Sequence, residues 1–222
     1  MRNVRRLTIA AIAGSAALAA TLSACTSPSV PARPQVNSYS VQQSVEAFAG
    51  IDYDYDPAPS PAALAEQSRL VVTGTIDRVQ EGRVQTIPTN DQAPEISTIV
   101  LVLGHAKPVL GSLEQDSDGF VYLELPNPGG REAKEYQDGL RAGAEVVAYL
   151  VPASDGAPAE NIDSAIADSK AGRPPGQALY LPAGPQALIL KYQDEALVWP
   201  LIGQQLDGRL EDTLPGGKLI AS

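Results

Sequence analysis

His105 is the only histidine in the chain, so any Ser-His-Asp or Cys-His device would have to use it as the base. It sits in Leu103-Gly104-His105-Ala106-Lys107-Pro108, where a strongly apolar run ends. Serines are plentiful, but none lies in a Gly-x-Ser-x-Gly elbow. A triad is defined by geometry, and without it His105 reads as a strand-end side chain with no catalytic work. A zinc site needs several nitrogen or sulfur ligands, which one His and the single cysteine, Cys25, do not supply. Calcium needs only oxygens. Asp52, Asp54 and Asp56 match positions 1, 3 and 5 of an EF-hand loop, but Pro57 stands where glycine is required and Ala63 where the bidentate Glu belongs. Asp116 and Asp118 with Gly119 read as a tight turn, which Asp tolerates. With 26 acidic residues some glycosidase-like carboxylate pair is always conceivable, and only separation in space identifies one. Gly74, Gly129-Gly130 and Gly216-Gly217 lack the spacing of a phosphate-binding loop. The sequence therefore assigns no catalytic residue, no metal ligand and no cofactor.

Cys25 takes its meaning from what precedes it. Arg2, Arg5 and Arg6 lead into an apolar run, Leu7 to Leu22, made mostly of Ala, Leu and Ile. A basic start, a short apolar core and small residues before a cut site make residues 1–24 a secretory signal, too short and wrongly flanked for a stable membrane span. Its end, Leu22-Ser23-Ala24-Cys25, resembles the lipobox of bacterial lipoproteins: an aliphatic residue, two small ones, then the obligatory Cys. All four positions match. The resemblance implies diacylglyceryl transfer to the Cys25 sulfur, cleavage before Cys25, and acylation (with palmitate, for example) or exposure of the new amino group. Other readings are a plain secretory signal with a chance Cys, or an uncleaved anchor. Each buried lipid CH₂ contributes about 0.8 kcal/mol, so two or three long chains hold a protein on a bilayer almost permanently. The implied location is the extracytoplasmic face of the cell membrane, and a lipid-blocked Cys25 offers no thiolate.

Of 16 Lys+Arg and 26 Asp+Glu, three basic residues and no acidic ones precede Cys25, so the remainder carries 13 against 26, a net charge of −13. Such a body is repelled by phosphate backbones, which argues against nucleic acid as a partner. Anionic headgroups repel it too, so membrane contact falls to the lipid anchor on Cys25. The length suits one domain with a real core. A lone Cys excludes an intramolecular disulfide, leaving stability to apolar burial, with the eight Tyr and one Trp as the largest packing pieces.

The elements follow from composition and periodicity. Residues 25–61 read as the lipidated Cys and a flexible linker, its Pro28, Pro31 and Pro34 favouring an extended spacer. Val41–Phe48 allows a helical turn or two. The Asp52-Tyr53-Asp54-Tyr55-Asp56 strip reads as a solvated segment whose rings rest on the domain, or as a recognition element. Ser60-Pro61 is an N-cap with Pro at the first helical position, opening a short helix to Ser68. Strands are expected at Leu70–Ile76, with Gly74 as a bend or bulge, and at Ile96–Gly104, buried on both faces. Others fall at Phe120–Leu125, Glu145–Val151, Leu179–Leu181, Ala187–Tyr192 and Ala196–Leu201. Gly82 reads as part of a loop, and 129–143 as part helix, part loop. Residues 152–176 form a long excursion, either a lid or disordered, and 203–222 a C-terminal extension. Trp199 alternates with Leu197 and Leu201 and reads as core, with carbohydrate stacking as the functional alternative. Pro200 suggests an edge strand or a bulge.

Short strands, turn signals and few helices point to a mainly β fold. Val72-Thr73-Gly74, Leu140-Arg141-Ala142-Gly143 and Val146 to Leu150 resemble the small OB-like barrels of uncharacterised secreted and lipid-anchored bacterial proteins. The resemblance implies a closed or partly open barrel over residues 62–202 with one or two short helices, a β-sandwich being the alternative. The function expected is a lipid-anchored, non-catalytic binding or interaction module at the cell envelope, taking an envelope protein or a small ligand through loops such as 152–176. The alternatives are a cell-envelope hydrolase using His105 or paired carboxylates, and a structural component without a specific ligand.

Overall fold

The computed structural model describes residues 39–86, 95–154, 165–192 and 196–222. The signal segment and Cys25 lie outside them. Helix α1 (Tyr39–Glu46) and helix α2 (Pro61–Glu66) precede β1 (Leu70–Thr86), β2 (Ile96–Leu110), β3 (Val121–Pro126), β4 (Glu145–Pro152), β5 (Ala165–Ala167), β6 (Leu179–Pro182), β7 (Leu188–Lys191), β8 (Leu197–Trp199) and β9 (Gln204–Leu206). The protein is mainly β, as the strand signals require. β1 pairs antiparallel with β2, and β2 with β3; β3 runs parallel to β6, β6 antiparallel to β4, and β4 antiparallel to β1. The five ladders return to their starting strand, the order of an OB-like barrel and not of two stacked sheets. The ring is weakest between β3 and β6, where only Tyr122↔Leu179 and Leu123↔Tyr180 are paired. β7, β8 and β9 extend the sheet from β4, and β5 from the far end of β1.

Alternation along the strands builds two cores. Val72, Ile76, Leu101, Leu123, Val146 and Leu150 fill the ring. Their neighbours Val71, Val147 and Tyr149 face outward into a second cluster with Leu64 of α2, Trp199 and Ala221. A third group, Val100 and Val102 with Tyr122 and Leu179, covers the outside of β2 and β3. Residues 99–103 are consequently all 0% exposed, the reason that run is apolar without alternation.

Several boundaries differ from expectation. β1 continues through Gly82 to Thr86, and β2 through Pro108 to Leu110. Gly82 reads locally as a chain breaker, but a Cβ there would overlap Thr98 of the neighbouring strand, so glycine is demanded by close approach. Gly74 does mark a bulge. The register jumps from Thr73↔Lys107 to Thr75↔Gly104, leaving His105 and Ala106 opposite one residue, and a Cβ on Gly74 would sit 2.8 Å from the Gly104 carbonyl oxygen.

The helix cap is as expected: the Ala63 amide donates to Ser60 Oγ at 3.1 Å, although α2 ends at Glu66. The linker expected over 25–61 is corrected from residue 39 on. Ser44 Oγ of α1 donates to the Gly139 carbonyl, Ala47 and Phe48 are buried, and the Phe48 ring lies 5.7 Å from that of Tyr136. The C-terminal extension, residues 203–222, packs on the second core. Tyr149 Oη donates to the Thr213 carbonyl, and the buried Gln186 side chain joins Ala58 to Ala221. Pro200 opens a 3₁₀ turn (Pro200–Ile202) instead of continuing a strand. The described part of the 152–176 excursion is fastened to the wall: β5 pairs with β1, and Gln80 Nε2 donates to the Gly172 carbonyl.

Candidate functional site

The bulge at Gly74 throws His105 into a left-handed conformation, φ 52°, in a cleft of about 320 Å³ that Thr73, Thr75, Lys107, Glu145 and Glu211 also line. The alternative of a hydrolase built on His105 therefore finds Glu145 and Glu211 in the same cleft, and no serine. Among the described residues no hydrogen bond joins the imidazole to a carboxylate or a hydroxyl.

The acidic strip lies along the barrel as its alternation dictates. Asp52, Asp54 and Asp56 are exposed, while Tyr53 and Tyr55 are half-buried. None of the three carboxylates has an ion-pair or hydrogen-bond partner among the described residues. No group of three or more His, Cys, Asp or Glu among those residues is arranged to hold a metal ion. Trp199 is 0% exposed and belongs to the second core, which removes the carbohydrate-stacking reading.

Two clefts meet at Tyr53 and Leu201, which line both. The first, about 460 Å³, runs along Val45, Phe48, Ile51 and Asp52. The second, about 400 Å³, lies where the C-terminal ends of β3 and β6 part: Leu125 and Pro126 stand on one side, Leu181 and Pro182 on the other, with Ile96 at the rim. Ile96 is 54% exposed, one of three large apolar side chains left so open among the described residues. The polar groups are few: Gln85, Ser97, Thr98 and Glu124. Neither cleft is lined by a Lys or Arg.

Glu124 is held by Arg83. The Arg83 Nε donates to Glu124 Oε1 at 2.8 Å, and Nη2 donates to Oε2. Thr98 Oγ1 adds a 2.8 Å bond to Oε1, and Arg83 Nη1 donates to the Ser154 carbonyl at 2.8 Å. Sequence reasoning passed over this pair. Arg83 falls in a stretch that reads as loop, and nothing local ties it to a glutamate two strands away.

Tyr53 Oη is buried without a partner among the described residues, and desolvation raises its pKa to about 12. Tyr149 is raised further by the same cause. Unfolded tyrosine ionises near 10, so burial of the neutral phenols stabilises the fold fully below that pH. This contribution is lost as pH rises through about 12. Alkaline titration should show phenolate absorbance appearing together with loss of the folded circular-dichroism signal; full phenolate formation near pH 10 with the fold intact would contradict the burial.

The chain matches no protein-family model, no curated protein and no solved structure.

Proposed function

We propose that this protein is a lipid-anchored, extracytoplasmic binding module, tethered to the cell membrane through Cys25 and taking an envelope protein or a small ligand in the clefts beside Tyr53. One observation carries the reading. The cleft between the ends of β3 and β6 has mainly apolar walls, a few polar groups and a volume of about 400 Å³, the pattern of a binding site. The test is a photoreactive side chain placed at position 96 of the full chain in intact cells. A discrete adduct is expected, lost on Leu181→Ser and absent when the probe stands at exposed Glu66. Equal adducts at both positions, or none at 96, would refute the reading.

A second reading, a cell-envelope hydrolase, draws on the left-handed His105 beside Glu145 and Glu211, since backbone outliers gather at working sites. It requires hydrolysis of cell-wall fragments or peptides that disappears in His105→Ala. Turnover unchanged in that variant removes it.

A further inference from the structure

We infer that the cleft between Glu114 and the Pro174-Pro175 turn binds a short zwitterionic peptide, taking its carboxylate at Lys170 and Arg173 and its ammonium group at Glu114. This cleft shares no lining residue with those beside Tyr53, so the inference goes beyond the binding reading above and stands apart from it. Three observations converge. First, the cleft measures about 330 Å³, and Pro152, Pro174 and Pro175 give it apolar walls. That volume lies at the small end of ligand sites and suits a small molecule, not a protein surface.

Second, the loop that forms the cleft is fixed before anything binds. Arg173 Nε donates to the Gln177 carbonyl at 2.7 Å, and Nη1 to the Ser169 carbonyl at 3.0 Å. The Gln177 amide donates to the Pro174 carbonyl at 3.2 Å, closing a turn with Pro175 and Gly176 at its centre. On the other wall Gln177 Nε2 donates to the Asp116 carbonyl at 2.6 Å, and the Ala178 amide to Glu114 Oε2 at 3.2 Å. A guanidinium holds its N–H donors in one plane, so the two carbonyls set the direction of Arg173 and leave it donors to spare. A site held in this way loses little freedom on binding.

Third, the cleft carries charges of both signs that do not pair with one another. Lys170 is exposed, and neither it nor Arg173 has an ion-pair partner among the described residues. Glu114 accepts only from a neutral amide there. A plain anion is drawn to the two cations and repelled by Glu114, and a plain cation meets the reverse. A molecule carrying both charges finds a complementary group for each.

The experiment is amide NMR of the full chain in detergent, titrated at low salt with alanyl-alanine. Its N-acetylated form and its C-terminal amide are the singly charged comparisons. Alanyl-alanine should shift the amides of Ala153, Lys170 and Ala178 along one saturable curve. Its Kd should lie about tenfold or more below that of either comparison, with the gap closing at high salt. Lys170→Gln alters a side chain that bonds nothing among the described residues, and should weaken alanyl-alanine about two- to fivefold. Glu114→Gln keeps an oxygen for the Ala178 amide and should erase or reverse the preference over the acetylated form, where a merely structural role would weaken both alike.

Equal binding of alanyl-alanine and its acetylated form would overturn the inference and leave an anion site. A preference that survives Glu114→Gln, shifts spread over the whole chain, or none at the three amides would overturn it likewise. The binding reading is decided separately, by the adduct at position 96.

Discussion

Arg83→Ala is expected to destabilise the folded chain by about 3–5 kcal/mol, because it leaves a buried carboxylate without its countercharge. The Arg83 and Glu124 side chains are 4% and 5% exposed, so water cannot replace the lost partner. Thr98 would remain as a single neutral donor to Glu124, far short of the forked guanidinium. For a chain of this size the loss corresponds to a fall in Tm on the order of 10 °C. Arg83→Lys should recover only part of it, since an ammonium cannot grip both carboxylate oxygens in a plane. The double variant Arg83→Met/Glu124→Leu should be far closer to the parent than the sum of the single changes, because a buried pair replaced by apolar side chains is often near neutral. Urea unfolding of the parent, Arg83→Ala, Arg83→Lys, Arg83→Met, Glu124→Leu and the double variant decides it. Strictly additive losses would mean that the two side chains do not act as a unit.

Cys25→Ser should move the protein almost completely from the membrane fraction to the soluble extracytoplasmic fraction and abolish labelling by palmitate. The size of the effect follows from the anchor: two or three acyl chains at about 0.8 kcal/mol per buried methylene make desorption negligible, and their removal leaves a body of net charge −13 that anionic headgroups repel. The folding transition should not change, because every residue of the cores described above lies at or beyond position 39. If the serine variant stayed in the membrane, the run Leu7 to Leu22 would be acting as an uncleaved anchor. If the parent were unlabelled but released, it would be an ordinary secretory signal.

The two expectations differ in where they come from. The anchor is an argument about four adjacent residues and rests on sequence alone. The ion pair joins residues 41 apart, and no local pattern announces it. The same contrast runs through the fold. Ser60-Pro61 announces its helix, the β-branched run at Leu70–Ile76 announces a strand, and the unbroken apolar stretch from Ile99 to Leu103 announces burial on both faces. Each signal is complete within a few residues, since capping, propensity and periodicity are local physics.

Gly82 is the opposite case. Glycine ends a strand in one setting and permits one in another, and only the position of Thr98 on the facing strand decides which. Residues 39–58 read as linker because Val41, Val45, Phe48, Ile51 and three tyrosines cannot build a core by themselves; laid against the barrel strands, they join its core. Asp52 to Asp56 declared its alternation openly, but not what its tyrosines would cover.

By itself, then, the sequence determined the β class, the capped helix, the bulge at Gly74 and the acidic balance of the chain. The tertiary structure alone decided that β3 and β6 part after two paired residues, that Tyr53 stands between two clefts at that opening, and that His105 has acids but no serine beside it. The physical reason is that a cleft is made by residues from β2, β3, β6 and the segment before α2. Their approach depends on strand register and ring closure, which no single stretch of chain encodes.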